Sequence, residues 1–162
     1  MASRFAGDAY SARFPAANYP QYVPVNRRLF LAFDGSTDET AYWEFPAPQG
    51  LTGTITVVVK GCMVTATSGT VGLQAKIEAI TAGDALALSS DSFDTVNNST
   101  STTVPGTVMY LFEISITCTN ADSIAAGDQV RISLNRDADG SAVADSVTTD
   151  FYLYSIEVRD AA

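Results

Sequence analysis

The side chains able to do acid–base chemistry are few. Glu44, Glu78, Glu113 and Glu157 are the residues a glycosidase could draw on, because acetal hydrolysis needs two carboxyls placed across a cleft. Glu78, Glu113 and Glu157 fall on outward positions of expected strands, where solvated surface is the default, so no catalytic pair is expected. Histidine is absent from all 162 residues, which removes the commonest general base and the commonest metal ligand. Serines and threonines abound, yet Ser–His and Cys–His nucleophile arrangements cannot be built. No GxGxxG or P-loop string occurs, and neither catalysis nor a cofactor is expected.

Metal chemistry has one opening. Asp137-Ala138-Asp139-Gly140 is similar to the start of a calcium loop, but the next alternate oxygen ligand and the closing bidentate Glu are missing. Asp and Gly after a strand also make an ordinary turn, and a turn is the expectation here. Ala82-Gly83-Asp84 and Ala126-Gly127-Asp128 read the same way, as tight turns feeding strands. Cys62 and Cys118 lie 56 positions apart with no CxxC pairing, so zinc is unsupported and two buried free thiols are expected.

Charge narrows the partners. A net charge of −9 argues against nucleic acid, whose phosphates need clustered cations. No apolar run approaches the ~18 residues of a membrane span, and MASRFAGDAY lacks the apolar centre of a signal peptide. Synthesis in the cytoplasm without Sec export is therefore expected. The charge is uneven. Residues 1–28 hold Arg4, Arg13, Arg27 and Arg28 against Asp8, while the remainder carries five basic and seventeen acidic residues. A basic end on an acidic body suits docking onto another acidic protein surface.

Those arginines belong to an unusual segment. Pro15, Pro20 and Pro24 recur at intervals of four or five within residues 1–26, interleaved with Phe5, Tyr10, Phe14, Tyr19 and Tyr22. Prolines at that density favour an extended course, and five aromatic rings are costly to leave in water. Residues 1–26 are read as an extended arm that reaches a neighbouring subunit, in preference to wrapping its own domain. Arg4, Phe5, Tyr10, Arg13, Phe14, Tyr19, Tyr22, Arg27 and Arg28 are its candidate partner contacts. Removing the arm is expected to leave a folded body.

That body, residues 27–162, has the two-residue rhythm of a sheet with one buried face. Leu29, Leu31 and Phe33 alternate, Asp34-Gly35-Ser36 turns, and Trp43 and Phe45 follow on one face. Ile55, Val57 and Val59 share a face, with a bulge expected at Gly61. Val71 to Ala79 alternates most clearly. Thr107 to Thr119 places Val108, Tyr110, Phe112, Ile114, Ile116 and Cys118 inward. Val130, Ile132 and Leu134 form the next strand, and Phe151 to Val158 the last. Facing Tyr152, Tyr154, Ile156 and Val158 inward would leave Phe151 and Leu153 exposed beside Met109 and Leu111, a candidate contact patch. Leu88 to Pro105 is a long polar connection, read as a functional loop, a lid over a sandwich edge or a partly disordered segment, with room for a short edge strand. No stretch has a 3.6-residue apolar period. Seven or eight strands give an all-β, antiparallel sandwich; Trp43 precedes both cysteines, unlike immunoglobulin domains, which favours a jelly roll.

Several strings carry a family resemblance: FPAPQGLTGTITVVVK with AKIEAIT and AGDAL, then SFDTVNNSTSTTVPGT, YLFEISITCTNADSIAAGDQVRISLNRDA and DFYLYSIEVRD. Over about residues 27–160 the chain resembles a β-sandwich module of tailed-bacteriophage virion proteins, among them capsid decoration (cement) proteins and head or tail fibre modules. The resemblance implies a non-enzymatic structural protein on the capsid surface, self-associated as a trimer and attached to the major capsid protein or other virion proteins. Alternatives are a receptor- or carbohydrate-binding module of a phage fibre, and a neck, tail or minor capsid component.

Overall fold

Alternating apolar and polar residues, rich in β-branched types, pleat into strands with one greasy face, and such faces must be buried against each other. In the computed structural model, which describes residues 1–51 and 54–160, they form two stacked antiparallel sheets. The strands are β1 (Ala2–Asp8), β2 (Gln21–Val25), β3 (Arg28–Phe33), β4 (Glu39–Pro46), β5 (Ile55–Met63) and β6 (Thr70–Val71). They continue with β7 (Leu73–Ile80), β8 (Asn97–Asn98), β9 (Thr102–Thr103), β10 (Phe112–Cys118), β11 (Gln129–Arg136) and β12 (Phe151–Asp160). One sheet runs β10-β5-β12-β3-β2 with β1 also on β12; the other runs β4-β11-β7-β8; β6 and β9 form a small pair. The long strands from β3 onward pass back and forth between the two sheets, the jelly-roll pattern. The expected fold class is the one observed.

The core lies between the sheets. Leu31, Phe33, Val57, Val59, Ile114, Ile116, Phe151, Leu153 and Ile156 from one face meet Trp43, Leu73, Ile77, Val130, Ile132 and Leu134 from the other, all at most 1% exposed. Trp43 is closed over completely, and its indole N–H donates to the Asp8 carbonyl at 3.0 Å.

Two faces differ from the sequence expectation, each for a local reason. Along β12 the register against β5 slips between Leu153 and Ser155, so Tyr154 is an extra residue. The bulge expected at Gly61 is therefore in the partner strand. Phe151 and Leu153 face inward, fully buried, and Tyr154 faces out. Gly61 itself is required because a Cβ there would strike the Phe151 ring and the Tyr152 carbonyl. The run from Thr107 also starts late: Met109, with a left-handed backbone (φ 61°), breaks the alternation and β10 begins at Phe112. Val108 and Tyr110 are exposed, not core.

The N-terminal segment is built into the body. β3 covers β12 only at Phe151–Leu153, which would leave the rest of that edge unpaired, and β1 fills it from Asp8 to Ala2. Phe5 stacks on Phe45 with ring centroids 4.3 Å apart, and Arg4 Nε donates to the buried Asp160 at 2.8 Å. β2 continues as a hairpin with β3 through Asn26 and Arg27, both at positive φ, the two-residue primed turn that matches strand twist. Residues 1–26 thus supply two strands of the sandwich, contrary to the reading of an arm that stands apart.

Candidate functional site

The outward face of the four-stranded sheet is where polar side chains converge. The registers align them in rows across β4, β11 and β7: Glu44–Arg131–Glu78, Tyr42–Ser133–Lys76, and Thr40–Asn135–Gln74. Period two points these side chains outward, and the registers set which of them stand side by side.

Arg131 is the centre of the face. Its Nε donates to Glu78 at 2.8 Å and an Nη to Asp91 at 2.5 Å. Its guanidinium lies 4.6 Å from the Phe93 ring centroid and 5.8 Å from that of Tyr42, while the two rings stack at 5.9 Å. Burial works against the charge, but the two carboxylates outweigh it and hold the Arg131 pKa above its ordinary value. Asp91 and Phe93 both come from the long connection before β8, which folds over the sheet as the expected lid and contributes β8 as its edge strand.

The lid changes the status of Glu78. It points outward as the alternation required, yet is only 3% exposed. Its carboxylate accepts from the Ser92 N–H at 2.6 Å, the Ser92 hydroxyl at 3.0 Å and Arg131. The expectation of a solvated carboxylate fails because the connection after β7 folds back over the sheet, which the strand's own period does not reveal. Glu113 and Glu157 lie on the other sheet, in a surface network with Lys60 and Arg159.

The stack divides the face into two clefts. One, of about 260 Å³, is lined by Glu44, Glu78, Gln129, Arg131, Ser90 and Leu88. The second, of about 220 Å³, is lined by Thr40, Gln74, Lys76, Ser133, Asn135 and Asp38. Both present amides, hydroxyls and charged groups beside half-buried rings. Such a surface can hydrogen-bond several hydroxyls of one ligand while an aromatic face takes its C–H groups.

The residues expected to contact a partner are not brought to one place. Arg4 and Phe5 serve their own domain. Phe14 packs with Tyr19 and Tyr22 at 5.4 and 5.2 Å. Arg13 bridges to Tyr42 through its backbone, Tyr10 is 74% exposed, and Arg27 and Arg28 sit exposed at the β2–β3 hairpin.

Asp137-Ala138-Asp139-Gly140 is a turn, with the Gly140 N–H on the Asp137 carbonyl at 3.0 Å and Gly140 at φ 67°. Folding adds Asp38, so that carboxylate oxygens of Asp38, Asp137 and Asp139 come within 4.8 Å of one another, the one such group among the described residues. Those oxygens already accept hydrogen bonds: Asp38 from the Ala138 N–H, Asp137 from the Ala142 and Val143 N–H groups. Burial pushes the Asp137 carboxyl up, but the amides outweigh it and leave it below the usual range. Cys62 and Cys118 are buried free thiols at opposite ends of the β5–β10 pair.

No family model matches this chain, and no curated protein does. Among solved structures, the CBM22-2 xylan-binding domain from Paenibacillus barcinonensis Xyn10C superposes with a TM-score of 0.52. The match covers 97% of this chain and 99% of that one at 13% sequence identity. At that identity the likeness shows a shared β-sandwich fold.

Proposed function

We propose that this protein is a non-catalytic carbohydrate-binding module that holds a polysaccharide along the outer face of its four-stranded sheet. The observation that carries this is the Tyr42–Arg131–Phe93 stack with a cleft on either side, one mixed and one mainly polar. A guanidinium neutralised by Glu78 and Asp91 fixes the rings in place, so a sugar meets a preorganised platform and little side-chain entropy is lost. The structural neighbour is itself described as a xylan-binding domain, which supports the reading through a shared fold. Binding without turnover fits because both oxygens of Glu78 are engaged, leaving Glu44 alone in its cleft.

Affinity electrophoresis of the full chain through gels containing xylan, β-glucan, mannan or pectin tests this. Retardation is expected in at least one gel, and Tyr42→Ala is expected to abolish it with an unchanged circular dichroism spectrum. Retardation in none of them overturns the reading.

A second reading is a virion surface protein that attaches to a capsid or another virion protein. It rests on the sequence strings quoted above and on one structural observation, the exposed apolar strip Val108–Leu111, where Tyr110 is 63% and Leu111 61% exposed. Co-sedimentation with expanded phage shells would favour it, and free chain in the supernatant would remove it.

A further inference from the structure

The opposite face of the sandwich carries a groove of about 520 Å³. Phe30 and Cys62 make its floor, and Val25, Met109, Leu111 and Tyr154 its walls. Folding details open it. The bulge in β12 turns Tyr154 outward, where it packs on Phe30 at 5.4 Å. The left-handed Met109 donates its N–H to the Met63 carbonyl at 2.8 Å and sets its sulfur 3.9 Å from Cys62 Sγ. Met109, Tyr154 and Leu111 remain 39%, 39% and 61% exposed. One end of the groove is cationic, with Arg28 in its lining and Arg27 beside it. Among the described residues neither arginine has a salt-bridge partner.

The matching feature lies on the other side of the molecule. The connection after β7 carries Leu86 and Leu88, the latter 81% exposed and the most exposed large apolar side chain among the described residues. Asp84 stands two positions before Leu86; its carboxylate meets only the Thr81 N–H there, with no cation among the described residues. This is a small apolar knob with an uncompensated negative charge, suited to an apolar groove with a cationic end.

We infer that the groove is an interaction site for a second copy of this chain, which inserts Leu86 and Leu88 against Phe30, Met109 and Leu111 and sets Asp84 beside Arg27 and Arg28. Groove against groove is disfavoured, because a two-fold axis there would bring the arginine pairs of both copies together. Groove and knob lie on opposite faces, so a docked pair still offers one free groove and one free knob. Contacts of that kind repeat head to tail into a ring or a filament. Leu88 also lines the first cleft of the four-stranded sheet, so a docked copy covers part of that cleft.

Sedimentation velocity on the full chain over a wide concentration range tests it. Wild type is expected to associate, and less strongly as salt rises, because the charged contacts are screened. Leu88→Asp and Leu111→Asp are each expected to be monomeric. Both positions are exposed, and circular dichroism checks the fold. An equimolar mixture of the two is expected to form a dimer that grows no further, since only one intact knob and one intact groove meet. Arg28→Glu is expected to weaken association at least tenfold and Asp84→Arg on that background to restore it. A wild type that stays monomeric at every concentration overturns the inference, as does Leu88→Asp associating like wild type. So does a mixture that remains monomeric.

Discussion

Arg136 and Asp145, nine residues apart, form an ion pair whose two side chains are both 0% exposed, with Nε–Oδ2 at 2.9 Å and Nη2–Oδ1 at 3.1 Å. The same guanidinium donates to the carbonyls of Phe33, Asp34, Val147 and Thr149. It ties the end of β3 to the irregular stretch before β12. Two strand connections at one end of the sandwich are thereby held by a single side chain.

Arg136→Met leaves the Asp145 carboxylate buried without its cation and removes the guanidinium donor from four carbonyls. A destabilisation of about 3–5 kcal/mol is expected, measured as the shift in urea midpoint. Adding Asp145→Asn should recover part of that loss, because the stranded charge is then gone.

The first strand offers a second test. Arg4→Ala removes the cation that meets Asp160 at 2.8 Å, where the carboxylate side chain is 0% exposed. A loss of about 1–3 kcal/mol is expected. Deleting residues 1–8 should cost more, since it also opens the β12 edge and uncovers Phe45 and Trp43. A truncated chain with the wild-type melting temperature would show that β1 adds nothing to the fold.

Acid stability turns on Glu157. Hydrogen bonding to Arg159 at 2.6 Å, with help from Ser3, holds its carboxyl at about 2 against an ordinary 4.5. A lowered folded pKa contributes stability that is complete above 4.5 and is lost as pH falls toward about 2. Glu157→Gln should flatten the decline in denaturation midpoint across that window while leaving other carboxylates to act below it. The side chain is 18% exposed, so the effect should shrink with added salt.

Thiol chemistry gives a further readout. Burial pushes Cys118 up to about 12 and Cys62 upward as well. At mildly alkaline pH the native protein should react with a disulfide reagent at neither position, and should release two equivalents only on unfolding. In partial denaturant Cys62 should react before Cys118, because Cys62 lines the surface groove whereas Cys118 belongs to the core between the sheets.

The alternation legible in Val71–Ile77, Ile114–Cys118 and Val130–Leu134 determined that the protein is all-β and which side chains of those strands enter its core. A two-residue period leaves each strand only two faces, so that much is local and readable. The outward rows through Arg131, Ser133 and Asn135 followed from the same rule.

What tertiary structure decided is everything set by residues distant in the chain. Glu78 is outward by its period and buried by Ser92 and Arg131. Asp38 joins Asp137 and Asp139 across some hundred positions, and Tyr42 meets Phe93 only because the lid folds onto the sheet. Tyr154 is turned out by an extra residue that depends on register against β5, and β1 is held by the open edge of β12. Local periodicity fixes the direction of a side chain relative to its own strand. What lies opposite that side chain depends on how the sheets close.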